Sequence, residues 1–165
     1  MQSAEWLRTE VDKITERARS GVASDSTAAA AEQRGAKRKE PSTGAAAAVE
    51  EFSARHLLVK FQGSRKAVSH RTGLSTEDVT AEQALEELHK FEKRIQDAGA
   101  TQEAFESCAL ERSDCKSFSR GGDLGTFLAG KMQKAFEAAT RSTPIGKMSP
   151  VVLTDSGYHL IFRYR

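Results

Sequence analysis

From Ser20 to Val49 the chain offers almost nothing large enough to pack, so any core must come from the residues on either side. Ser20 to Ala31 is mostly Ser, Ala, Gly and Asp, and Gly44 to Val49 is mostly alanine. Between them lie Arg34, Lys37, Arg38, Lys39 and the turn-like Pro41-Ser42-Thr43-Gly44. Such a composition cannot bury enough apolar surface to offset the entropy of ordering it, and a disordered linker is predicted. Upstream, Leu7, Val11 and Ile14 follow i, i+4, i+7 spacing with Trp6 beside them, and Ser3 can cap the first turn. This predicts a short amphipathic helix over about residues 3–19, marginal unless it docks. The chain therefore divides into a tail, residues 1–51, and a folded domain, residues 52–165.

Charge narrows the partners. The 165 residues carry 25 basic and 23 acidic side chains, a net +2. The first 50 residues hold eight of each sign, so the whole excess belongs to the domain. That balance gives no reason to expect nucleic acid as a partner. No apolar run approaches the roughly 20 residues that cross a bilayer, and no membrane partner is expected. Cys108 and Cys115 suit a reduced, intracellular setting, although spacing alone does not exclude a disulfide. Two cysteines without a matching cluster do not make a zinc site, so neither metal nor cofactor is expected. Lys37-Arg38-Lys39 reads as a solvated stretch or as a short nuclear-import signal, which places the chain in cytoplasm, nucleus or both.

Within the domain, Ser53 to Phe61 alternates as a strand, with Leu57, Val59 and Phe61 on one face and His56, Leu58 and Lys60 on the other. Apolar residues on both faces predict an inner strand. A long polar loop, residues 63–79, follows. Thr80-Ala-Glu-Gln83 opens a helix with a capping-box pattern, and Ala81, Ala84, Leu85, Leu88, Phe91 and Ile95 continue it to Gly99. Thr101 starts a second helix carrying Phe105, Cys108 and Ala109. Gly121-Gly122-Asp123 turns into a short strand, Leu124 to Phe127, and a third helix is predicted from about Lys131 to Thr140. Val151 to Leu153, the turn Thr154-Asp-Ser-Gly157, and Tyr158 to Tyr164 read as a terminal hairpin. Irregularly interleaved strands and helices predict an α+β domain.

Three features can carry chemistry. His56 and His159 lie among strand residues, one near each end of the domain, and His159 shares a face with Ile161, opposite Tyr158, Leu160 and Phe162. They are either separate structural histidines or a pair meeting across neighbouring strands. His89, on a helix, is predicted to be solvated. Cys115 is either a small loop residue or a thiolate beside imidazoles, which would also permit a hydrolase. Lys60, Arg65 and Lys66, extended by His70 and Arg71, are either a solvated surface or a cluster that holds an anion.

These motifs together resemble the parvulin family. His56-Leu-Leu-Val-Lys60 is similar to its opening strand. Ser113-Asp-Cys115 followed by Gly122-Asp-Leu-Gly125 and Phe127 is similar to its central segment. Gly130-Lys-Met-Gln-Lys-Ala-Phe136 resembles its third helix, and Thr154-Asp-Ser-Gly-Tyr-His159 its terminal hairpin. The blocks occur in order across residues 53–165. The resemblance implies a four-stranded, mostly antiparallel sheet surrounded by helices and a peptidyl-prolyl cis/trans isomerase, with a non-catalytic phospho-Ser/Thr-Pro binding module as the alternative. It implies that His56, Cys115, Thr154, Ser156 and His159 form the catalytic group, the two hydroxyls holding the histidines. Leu124, Met132, Gln133 and Phe136 would receive the proline ring, with Met132 and Phe136 on one helix face. Lys60, Arg65 and Lys66 would bind phosphate, as in the subclass directed to phosphorylated Ser/Thr-Pro segments, and the chain would act as a monomer. Two departures stand out. That subclass often has two arginines and then proline where this chain has Arg65-Lys66-Ala67, and lysine keeps the charge but loses the planar fork. Trp6 is the only tryptophan, so the WW module of many relatives is not expected.

Overall fold

A strand that is apolar on both faces needs cover on both, and the first strand has it. The structure, a computed structural model, describes residues 9–16 and 50–165. β1 (Glu51–Val59) pairs antiparallel with β2 (Asp123–Leu128) on one side and β5 (Gly157–Arg163) on the other. The outer edge of β5 takes β3 (Lys147–Met148) at its C-terminal end and β4 (Val152–Thr154) at its start. The sheet order is β2-β1-β5-β3, with β4 paired to β5 beside that path. The inner strand, the hairpin and the α+β class match the sequence expectation. β3 does not appear in it, because two residues are too few to show an alternating pattern.

Among the described residues four α-helices surround the sheet: α1 (9–16), α2 (Ala81–Asp97), α3 (Gln102–Arg112) and α4 (Lys134–Ser142). The α2 capping box forms as expected: Gln83 N–H donates to Thr80 Oγ1 at 3.2 Å, and Thr80 N–H to Gln83 Oε1 at 3.0 Å. A cap of this kind contributes about 1 kcal/mol. The third predicted helix starts three residues late. Gly130 is left-handed (φ 81°) and Gln133 is an extended N-cap, so Met132 lies before α4 and not on its face with Phe136.

Alternation along β1 and β5 sorts the core into two layers. Leu57, Val59, Tyr158, Leu160 and Phe162 face α2 and α3, where they meet Leu85, Leu88, Ile95 and Phe105. Phe52, Ala54 and Ile161 face the other way, toward Phe127 and Phe136. Burying one such leucine or phenylalanine stabilises by about 1.5–3 kcal/mol, which makes the first layer the main source of stability. Val11 and Ile14 of α1 pack against that same layer. The rest of the predicted tail helix and the predicted disordered linker lie outside the described residues.

Candidate active site

His56 and His159 meet on the sheet face that carries the second layer. In the β1–β5 register His56 opposes Ile161 and His159 opposes Leu58, so the histidines are diagonal neighbours on one face. Their rings stack with centroids 5.3 Å apart, and Nδ1 lies 3.1 Å from Nδ1. The edge of the pair meets Phe136, whose ring stands nearly perpendicular to both. His56 Nε2 is 3.0 Å from Ser117 Oγ, and His159 Nε2 is 2.8 Å from Thr154 Oγ1. The chain hydroxyl–imidazole–imidazole–hydroxyl is satisfied by either tautomer arrangement, because each hydroxyl rotates to give or accept a proton. Burial, and then His56, hold His159 well below the usual histidine range, so it is neutral at pH 7.

Glycine sets the approach of β1 to its neighbour. His56 N–H donates to the Gly122 carbonyl at 2.9 Å, and Gly122 is left-handed (φ 77°). A Cβ there would fall 2.3 Å from the His56 carbonyl oxygen. Only glycine fits, and the histidine's backbone position depends on it.

Cys115 follows α3 and opens a short 3-10 turn, Lys116–Arg120. Burial pushes its thiol up, but His56 and the hydroxyl and N–H of Ser117 outweigh that and bring it down to about 6. The thiol therefore exists largely as thiolate at neutral pH. The segment before it is sewn to β1: Leu58 N–H donates to Ser113 Oγ (3.1 Å), Asp114 N–H to the Leu58 carbonyl (2.8 Å), and Lys60 N–H to Asp114 Oδ2 (3.0 Å). Arg112 completes the staple, pairing with Asp114 Oδ1 at 2.9 Å and with both Glu87 oxygens at 2.6 and 2.7 Å.

Leu124, Met132 and Phe136 come together as expected, packed in the second layer beside the histidines. Gln133 lies next to them, but its amide is engaged. Its Oε1 accepts Asp155 N–H at 3.1 Å, and its Nε2 donates to Ser156 Oγ at 3.0 Å. Of the two expected hydroxyls, only that of Thr154 touches a histidine. Ser156 acts one step removed: its N–H donates to Thr154 Oγ1 at 3.1 Å and its hydroxyl holds Gln133.

Within the basic cluster Lys60 differs from its companions. It is 5% exposed, and its ammonium donates to the carbonyls of Lys66 (2.8 Å) and Val68 (2.7 Å). Two of its three protons thus shape the loop, leaving one for a ligand. Arg65 and Lys66 are exposed. Arg65 N–H donates to the Asp155 carbonyl at 2.6 Å, which ties the basic loop to the β4–β5 turn.

Three other expectations resolve here. Both cysteines are free thiols, with Cys108 buried in the core. His89 is half-buried and 2.8 Å from a Glu92 oxygen, not solvated, because the pair sits at i, i+3 on α2. Ser117 and Asp114 escaped assignment: a hydroxyl two residues after a cysteine has no distinguishing pattern, and the aspartate reads only as the middle of the Ser113-Asp-Cys115 motif.

A profile of the rotamases, the PPIC-type PPIase domain, matches residues 56–164. The peptidyl-prolyl cis-trans isomerase ESS1 of Saccharomyces cerevisiae is 42% identical over 108 residues, covering 66% of this chain and 62% of its own. The isomerase Pin1 of Arabidopsis thaliana is 42% identical over 116 residues, covering 69% of this chain and 95% of its own. The chain thus spans somewhat less than two thirds of the yeast protein and nearly all of the plant one. Among solved structures, that of TbPIN1 superposes with a TM-score of 0.63 at 53% identity, covering 70% of this chain and 98% of that one.

Proposed function

Since the chain belongs to the PPIC-type peptidyl-prolyl cis/trans isomerases, we propose that it prefers prolines preceded by phosphoserine or phosphothreonine and works without a covalent intermediate. Rotation about a prolyl amide faces a barrier of about 18–20 kcal/mol, most of it lost resonance, and no bond has to break. An enzyme lowers it by binding the twisted amide better than either planar form. Leu124, Met132 and Phe136 grip the ring. Lys66 and Arg65, with the remaining proton of Lys60, hold the phosphate one residue upstream. With both sides held, binding energy is available to favour the twist.

The amide between these grips faces Cys115, His56 and His159. Planarity draws electron density onto the carbonyl oxygen, and a thiolate beside it disfavours that polarised form more than the twisted one. The histidine chain keeps the thiolate charged and the floor dry. No leaving group departs, so Cys115 needs no nucleophilic role.

One observation carries this reading. The Arg65 N–H bonds to Asp155, whose own N–H bonds to Gln133, the neighbour of Met132. A single turn therefore ties the basic loop to the residue beside Met132, which supports a substrate held on both sides of one bond. The test compares kcat/KM, by exchange spectroscopy, for a phospho-Ser-Pro peptide with its Ala-Pro and Glu-Pro counterparts. A charge-assisted hydrogen bond contributes about 1.5–3 kcal/mol, so Arg65→Ala with Lys66→Ala is expected to lower phosphopeptide turnover by roughly ten- to a hundredfold. Losses on Ala-Pro and Glu-Pro should be several-fold smaller; equal losses on all three would remove the phosphate assignment.

A further inference from the structure

The loop after β1 does more than present Arg65 and Lys66. It folds back on the segment that carries Cys115: the His70 N–H donates to the Asp114 carbonyl at 3.0 Å. Lys60 fastens the same loop from below through the Lys66 and Val68 carbonyls. His70 is thereby held beside Lys116, the first residue of the 3-10 turn, and both are exposed.

The charges around His70 are nearly all of one sign. Lys60 at the end of β1, Lys66 in the loop and Lys116 on the 3-10 turn all act on its imidazole. Asp114 is the opposing group, and its carboxylate already holds Arg112 and the Lys60 N–H. Among the described residues, Arg65, Lys66 and Lys116 have no ion-pair partner. Loss of some solvation and these three lysines keep the His70 imidazole below its ordinary value, so it is mostly neutral at pH 7. The surface thus holds unneutralised cations on the loop and on the 3-10 turn, and lysines from both act on one titratable ring.

We propose that His70 and Lys116 form a second wall of the phosphate site, and that His70 takes up a proton when a phosphorylated Ser/Thr-Pro segment binds. The inference rests on the phosphate reading above and adds to it two contact residues and a proton. A phosphoseryl group carries about −1.5 to −2 charges at pH 7. Seated among Lys66, Lys116 and Arg65, it cancels the field that keeps His70 neutral, and the imidazolium then donates to a phosphate oxygen. Affinity gained through His70 accordingly grows as pH falls.

The experiment uses the full chain and a synthetic phospho-Ser-Pro peptide. The His70 imidazole is titrated by NMR with and without peptide, and a rise of about one pH unit in its midpoint is expected. Peptide affinity is then measured from pH 5.5 to 8 for wild type and His70→Gln. Their ratio cancels the titration of the free peptide's phosphate, and a one-unit rise makes it approach about tenfold at the acidic end. In Lys116→Ala the ratio of kcat/KM for phospho-Ser-Pro over Ala-Pro is expected to fall roughly three- to tenfold. An unmoved His70 midpoint, or an undiminished ratio in Lys116→Ala, overturns the proposal while leaving Arg65 and Lys66 their role. Wild type that does not discriminate between the two peptides would instead overturn the phosphate reading itself, and this proposal with it.

Discussion

The two cysteines of this isomerase show how much a thiol depends on what faces it. Burial raises Cys108, and nothing reverses that, since Arg94 and Glu111 act on it in opposite senses. Burial also raises Cys115, but His56 and Ser117 outweigh it and leave the thiol at about 6. Thiolate is the species that alkylates. The rate of iodoacetamide reaction at Cys115 should therefore climb about tenfold per pH unit below 6 and level off above about 7, with Cys108 unreactive. Mass spectrometry of the labelled peptides measures both sites. A Cys115 rate that keeps rising to pH 8.5 or 9 would show that His56 does not hold the thiolate. Ser117→Ala should move the midpoint upward, because the hydroxyl that helps offset burial is lost while the Ser117 N–H remains.

At the scale of elements, the alternation of β1 and β5 is legible in the sequence: Leu57 and Val59 on one side, His56 on the other, His159 with Ile161. Strand period alone brings the two histidines to one face of their strands, and their diagonal register follows from how β1 and β5 pair. The family resemblance supplies Cys115 and Thr154, which no period marks. What stays hidden depends on contacts between segments far apart in the chain. Lys60 reads as a phosphate ligand, yet two of its protons brace its own loop. Ser156 reads as a histidine partner, yet it braces Gln133. Asp114 reads only as the middle of the Ser113-Asp-Cys115 motif, yet it joins the end of α3 to β1 from an almost fully buried position. Removing one partner of a buried pair leaves the other uncompensated and costs about 3–5 kcal/mol. Arg112 keeps Glu87, so Asp114→Asn should cost somewhat less, roughly 2–4 kcal/mol, read as a lower urea midpoint with unchanged slope. Turnover should fall with it even under native conditions, since an asparagine that keeps the Lys60 N–H turns its NH2 toward Arg112, and the junction that carries Cys115 loses one of its two fastenings. A midpoint within about 0.5 kcal/mol of wild type would show that the staple is not needed to hold that junction.

Considered whole, the molecule separates stability from chemistry across one sheet. The larger layer lies on the α2–α3 side, and the histidines, Phe136 and the apolar pocket lie on the other. The tail joins the first side, where Val11 and Ile14 of α1 rest on the larger layer. Isolated helices shorter than about 12–15 residues are marginal in water, and the contacts of Val11 and Ile14 give this segment a surface to form on. Two half-buried aliphatic side chains contribute on the order of 1–3 kcal/mol, less the cost of ordering the helix. Residue 50 is a different matter: the Glu50 carbonyl accepts the Ala129 N–H at 3.0 Å, and its carboxylate pairs with Arg141 on α4. Deleting residues 1–49 preserves those contacts and removes the contacts of Val11 and Ile14. The truncated protein should therefore unfold at a lower urea concentration, by about 1–2 kcal/mol, while its kcat/KM on a prolyl peptide stays within about twofold of the full chain. The double mutant Val11→Ser with Ile14→Ser should reproduce the stability loss without shortening the chain. If truncation instead abolished turnover with little change in the unfolding midpoint, the tail would have to act on the histidine side of the sheet, and the division of labour between the two faces would be wrong.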